Sequence, residues 1–244
     1  VKAGASSFGP PAPLRFGEVE IELLRKKIKN MHLRVYPPDG RVRLSVPYRM
    51  PIEAACAFAA SHLDWIRTKR QSLLGRERLP PFSYCDGESH FVWGTRYPLR
   101  VVEGTGARAV ELLPNEILLR VLPGTTREQK GDLLALWYRG LVRRAASILI
   151  AEWEPRLGVQ VNGLFVQRMK TRWGSCNIRH RHIRLNSELA KKPSDCFEYV
   201  VVHELAHLLV RLHDHRFRAL LDRFLPDWRT RQRRLNDFPR DPAI

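Results

Sequence analysis

Two histidines and a glutamate, His203-Glu204-x-x-His207, are the residues of this chain whose types and spacing best suit chemistry. On an α-helix, residues four apart stack on one face, so both imidazoles can reach one metal ion. Glu204 projects one residue round, where it can touch a water held by that metal. The flanks are Val200, Val201, Val202, Leu205, Ala206, Leu208 and Leu209. A helix that is apolar nearly all round belongs in a core. Burying unpaired polar groups is costly, and zinc would satisfy these three.

A catalytic zinc takes a third protein ligand and keeps one position open for water. Were the helix to run on, His213 would lie about 9 Å beyond His207 along the axis. Metal–nitrogen bonds of about 2 Å cannot span that. The helix is therefore expected to end after about Val210, so that Arg211-Leu-His213-Asp-His215 turns back, although no glycine eases the turn. His213 ranks first as third ligand, His215 is also a candidate, and Asp214 and Asp222 are weaker ones. The chemistry expected is hydrolysis by a zinc-activated water. Glu204 serves as general base and then passes the proton to the leaving nitrogen.

A second informative stretch is Lys170-Thr-Arg-Trp-Gly-Ser-Cys176, followed by a basic loop and Ile183-Arg-Leu-Asn186. Between Arg168 and Arg184 there is no acidic residue. Ile183–Asn186 reads as an edge strand ahead of the His203 helix, where extended substrate could add as a further strand. Arg172, Trp173, Arg184 and Asn186 are the expected substrate-binding residues. Arg172 or a histidine of the His180–His182 loop is the expected donor to the oxyanion.

The elements that must position these groups read as follows. Residues 1–16, rich in Gly, Pro, Ala and Ser, are expected to be poorly ordered. Strands are expected at Val19–Ile21, Ile28–Tyr36 and Val42–Val46, then a helix from Ile52 to Leu73 with Phe58, Leu63, Trp65 and Ile66 on its apolar side. Residues 75–87 read as a loop. Two hairpins follow, from Phe91 to Val102 and from Ala109 to Leu122. Pro123-Gly124 marks the expected boundary, so that 17–122 forms a β-rich region and 123–244 the catalytic domain. Thr125-x-x-Glu128 reads as a capping box opening a helix to about Trp153, with Leu133, Leu136, Trp137, Leu141, Ala145 and Ile148 packed inward. A strand from Val159 to Met169 leads on, and Pro193-Ser194 begins the His203 helix. The fold class is α+β.

The 244 residues carry 42 Lys+Arg against 25 Asp+Glu, a net charge of +17. That balance suits nucleic acid, ribosomes or anionic surfaces, or it reflects a plain preference for arginine. Four scattered cysteines without a CxxC pair are expected to be reduced thiols. The first residues lack an apolar leader, and no run is long enough to span a membrane. A cytoplasmic protein is expected, with the numbering starting inside a longer product or after processing.

Taken together, these residues resemble the YgjP-like family of predicted metal-dependent hydrolases, relatives of SprT-like zinc metallopeptidases. The resemblance is carried by Lys170–Cys176, Ile183–Asn186, Tyr199-Val-Val-Val-His-Glu-Leu-Ala-His207, His213, Phe217 and Leu225-Pro-Asp-Trp228, with Trp93-Gly-Thr-Arg-Tyr-Pro-Leu99 upstream. It implies a zincin-type core with a small mixed or antiparallel sheet. It also implies one Zn2+ per chain held by His203, His207 and His213, with Glu204 as catalytic base. The His207-to-His213 spacing equals that of metzincins, yet Val210 stands where those have glycine, which argues against membership there. The partner implied is a protein or peptide substrate. SprT-like relatives act on proteins crosslinked to DNA, so nucleic acid is a further expected partner. The alternative is a basic nucleic-acid- or ribosome-associated protein whose zinc site is structural or inactive.

Overall fold

The structure, a computed structural model, describes residues 13–36, 39–74 and 82–239. The chain forms two compact units, Val1–Arg78 and Leu79–Ile244. In the first, strands β1 (Leu14–Phe16), β2 (Val19–Lys26), β3 (His32–Tyr36) and β4 (Arg41–Pro47) form one sheet in the order β1-β2-β4-β3. Every second residue faces inward, as a pleated strand requires: Val19, Ile21 and Leu23 on β2, and Val42, Leu44 and Val46 on β4. Most of the tail expected at 1–16 lies outside the described residues, but its end is β1, where Leu14 pairs with Ile21.

The helix expected at 52–73 is two, α1 (Ile52–Ser61) and α2 (Leu63–Leu74). They part at His62, whose ring nitrogen Nδ1 meets the Phe58 carbonyl at 2.8 Å. Ala55, Ala59 and Ile66 complete the buried cluster of this unit, whereas Trp65 is 46% exposed and takes no part in it. The loop expected at 75–87 falls largely outside the described residues.

The second unit begins with a sheet in the order β5-β6-β8-β7, from β5 (Ser89–Val92), β6 (Thr95–Glu103), β7 (Ala109–Leu112) and β8 (Ile117–Val121). Both expected hairpins are present, and a parallel β6–β8 pairing joins them. Its inner residues Val92, Leu99, Ile117, Leu119 and Val121 share one core with helix α3 (Arg127–Leu157). That shared core is why the expected boundary at Pro123-Gly124 falls inside a unit. The capping box is one residue later than expected. Thr126 accepts from the Gln129 amide while the Gln129 side chain accepts from Thr126 N–H. Gly158, at φ 65°, ends α3 in the left-handed conformation that glycine adopts without cost.

The buried stripe of α3 also differs from expectation. Leu134, Tyr138, Val142, Ala146, Ile150 and Trp153 face the core. Leu136 and Ile148 are 56% and 70% exposed. Leu133, Trp137, Leu141 and Ala145 sit at the margin.

The remaining elements build the site. Strands β9 (Gly163–Gln167), β10 (Gly174–Asn177) and β11 (His182–Asn186) form a sheet in the order β10-β11-β9. A short 3-10 helix, Ser187–Lys191, leads to α4 (Ser194–Ala206), α5 (His215–Phe224) and α6 (Trp228–Asp237). The strand expected from Val159 to Met169 is thus confined to β9.

Candidate metal centre

Helix α4 is anchored over its first half. At its start, the β5–β6 turn is Trp93-Gly94, both at positive φ, a two-residue hairpin geometry. Trp93 N–H donates to the Ala190 carbonyl at 2.7 Å, and its ring packs on Phe197 at 5.1 Å. A side chain on Gly94 would come within 3.0 Å of Pro193, so the close approach needs glycine. Further along, Arg231 of α6 bonds Glu198 at 2.5 Å, and Trp153 of α3 donates to the same carboxylate at 3.2 Å. These anchors leave Val200, Val201, Val202, Leu205 and Ala206 buried around the polar face.

That polar face is His203, Glu204 and His207. The helix stops at Ala206, sooner than the Val210 expected, and His207 caps it in right-handed conformation at φ −66°. Leu208 and Leu209 donate to carbonyls three residues back, tightening the turn. No residue between 207 and 213 has positive φ, so the chain turns back without the missing glycine. His213 Nε2 then lies 3.0 Å from His203 Nε2. One ligand atom each from His203, His207 and His213 falls within 4.8 Å of the others.

Two of the rings meet a polar group at Nδ1, and for His207 that contact defines the tautomer. His207 Nδ1 meets the Val210 carbonyl at 3.1 Å, and an oxygen there can only accept, so Nδ1 carries the proton and Nε2 is free. His203 Nδ1 faces Tyr199 Oη at 3.5 Å, and Gln232 Nε2 donates to that same oxygen at 3.0 Å. Phe217, 2% exposed, packs within 5.0 Å of all three imidazoles as an apolar wall. Burial pushes the His203 imidazole down to about 3, helped by His207 and His213, and burial also lowers His207. Both rings are therefore neutral at pH 7, the form that binds metal.

The other third-ligand candidates are engaged elsewhere. Asp214 caps α5, accepting from Arg216 and Phe217 N–H. Asp222 accepts from Trp228 and Arg229. His215 opens α5, exposed and outside the cluster.

Glu204 is buried, and burial pushes its carboxyl up to about 8 against the pull of the Arg172 guanidinium. A Cβ on Gly174 would lie 2.6 Å from Glu204 Oε1, so only glycine lets β10 cross this close to the carboxylate. Glu204, His203, Arg172 and Trp173 line a cleft of about 250 Å³ together with Tyr199 and Gln232.

Two of the expected substrate contacts are placed differently from expectation. Asn186 is 2% exposed, and its amide donates to the Met169 and Arg172 carbonyls while its oxygen accepts from Met169 and Glu188 N–H. It shapes the loop that carries Arg172 instead of facing substrate. The edge strand beside α4 is β10, since β11, with Ile183–Asn186, is the centre of its sheet. Arg184 is exposed on the outer face of β11 with its guanidinium 5.6 Å over Phe165. His180 and His182 stack on one another at 5.7 Å beyond β10. Sequence reasoning assigned no role to Tyr199, Gln232 and Gly174. The position of Tyr199 four residues before His203, on the same helix face, was the available signal.

A model of the YgjP-like family, described as "YgjP-like, metallopeptidase domain", matches residues 29–238. No curated protein matches the chain. Among solved structures, the metallopeptidase zymogen abylysin of Pyrococcus abyssi is similar at 19% identity and a TM-score of 0.35, over 37% of this chain and 90% of that one. The metallopeptidase zymogen jannalysin of Methanocaldococcus jannaschii is similar at 15% identity and a TM-score of 0.32, over 39% of this chain and 93% of that one.

Proposed function

Since the chain belongs to the YgjP-like metallopeptidase family, we propose that it is a zinc-dependent peptidase hydrolysing peptide bonds at the His203–Glu204–His207–His213 centre. The observation that carries this reading is the convergence of three imidazoles beside one buried carboxylate. The donor set fits zinc: three imidazole nitrogens, two of them on rings that also meet a polar group at the opposite ring atom. His203, His207 and His213 would hold the ion. When bound, zinc would supply a Lewis acid that polarises the scissile carbonyl and acidifies water.

The remaining work falls to the chain's own residues. Glu204 takes the proton of the attacking water and returns it to the leaving amine. A carboxyl whose pKa is raised towards neutrality suits both transfers. Arg172, at the mouth of the same cleft, offers a donor to the oxygen on which charge develops. Tyr199 and the Val210 carbonyl keep His203 and His207 oriented. The exposed edge of β10 offers backbone groups to an extended substrate.

The test is hydrolysis of an unfolded casein-like protein by wild type and Glu204→Gln, with and without chelator. The reading predicts cleavage by wild type alone, abolished by chelator. Glu204→Gln should fall by about a thousandfold. Equal cleavage by both proteins would remove Glu204 from the chemistry.

A further inference from the structure

Where β10 leaves the metal centre, its edge continues into a groove of about 600 Å³ lined by Ser175, Asn177, Arg179, His182, Arg184 and Arg211 among others, with no acidic residue among them. Several arginines elsewhere in this unit are ion-paired: Arg156 with Glu152, Arg216 with Asp214, Arg231 with Glu198 and Asp227, Arg234 with Asp195. Among the described residues, Arg179, Arg184 and Arg211 have no such ion-pair partner. Three guanidinium groups around one concavity, without a carboxylate, make an uncompensated positive field that draws anionic groups. Arg184 is held in place by the Phe165 ring, so its fork is oriented before any ligand arrives.

The occupant follows from the groove's continuity with the strand edge. Ser175 and Asn177 belong to β10, which begins at Gly174 against Glu204. A peptide added antiparallel to β10 therefore passes from the reacting bond into the basic groove. At about 3.3 Å per residue, the groove begins one residue from the bond and reaches about 10 Å along the strand. Single-stranded nucleic acid would need aromatic faces for its bases, and the only ring lining the groove is His182.

We infer that this groove is a specificity subsite that selects substrates with Asp or Glu about two to four residues N-terminal to the cleaved bond. The inference rests on the peptidase reading and deepens it: Arg184 and Arg211 would be specificity residues for acidic segments. Carboxylates meet guanidinium groups in paired hydrogen bonds that no other side chains offer as well.

Two measurements separate this subsite from the peptidase reading. Zinc-loaded Glu204→Gln, which binds without cutting, is titrated by fluorescence anisotropy with two labelled eight-residue peptides, one carrying a Glu run and one a Lys run. The acidic peptide should bind at least tenfold tighter at low salt. The added pair Arg184→Glu and Arg211→Glu should invert that preference, an outcome that a misfolded variant cannot give. Equal binding of the two peptides, or a preference that survives the reversal, overturns the subsite. So does a single-stranded oligothymidylate that binds more tightly than the acidic peptide and is lost on reversal. Wild type is then given a mixture of random peptides. Cleavage enriched for Asp or Glu at the stated positions supports the subsite, and cleavage without enrichment overturns it alone. A mixture left wholly uncut fails the peptidase reading, and the subsite with it.

Discussion

The two units of this chain bury different kinds of interior. In Val1–Arg78 the buried set is aliphatic throughout: Val19, Ile21, Leu23, Val42, Leu44, Val46, Ala55, Ala59 and Ile66. Every buried polar or charged residue among the described ones, from His90 to Glu204, lies in Leu79–Ile244. An aliphatic interior needs only volume and pattern, and related side chains can exchange there. A buried carboxylate or asparagine must be matched atom by atom, because an unmatched one costs the desolvation of the group. Asn186 spends its bonding capacity on the Met169–Arg172 loop and the Glu188 N–H, and Glu204 sits where a single methyl on Gly174 would strike it. The second unit trades tolerance for placed chemical groups.

That contrast can be broken from either side. Leu44→Ala should destabilise the protein by about 3 kcal/mol, read by chemical denaturation, and leave metal content unchanged. A loss of metal with Leu44→Ala would show that the two interiors are not independent. Gly174→Ala should do the reverse. Its methyl displaces the Glu204 carboxylate, so casein-like hydrolysis should fall by about a hundredfold while metal stays bound. Unchanged hydrolysis would mean that the carboxylate has room the structure does not give it. Tyr199→Phe removes the oxygen facing His203 Nδ1 and should weaken zinc affinity about tenfold, read by competition with a chelating dye.

The smallest expected effect is a pH dependence of metal-free stability. Glu204 is held at about 8 in the folded protein and at its ordinary value in the unfolded chain. Its contribution is therefore fully present below about 4.5 and is lost as pH rises through about 8. Thermal melts in chelator should show wild type losing stability relative to Glu204→Gln between pH 5 and pH 9. Parallel melting curves would place the Glu204 carboxyl in water.

The grouping of the candidate site's side chains was legible in the sequence because a shared helix face leaves a spacing. His203, Glu204 and His207 are fixed by helical geometry, and both β-hairpins of the second unit by alternation and turn residues. Positions with two equivalent local solutions were not legible. Thr125 and Thr126 both precede a residue able to close a capping box, and Thr125 instead turns its hydroxyl back to the Leu122 carbonyl, leaving Thr126 as the cap. Helix α3 carries apolar residues on adjacent faces, so only the strands and helices packed against it select Leu134, Tyr138 and Val142 over Leu136 and Ile148. The edge position of β10 depends on pairings that periodicity does not encode, and the need for glycine at 174 depends on a helix thirty residues away.

The most direct measurement is elemental analysis of wild type, Glu204→Gln and His213→Ala, purified without added metal. The account predicts about one zinc per chain in wild type and in Glu204→Gln, with most of it lost in His213→Ala. Wild type without metal, or His213→Ala that keeps its full complement, would contradict it.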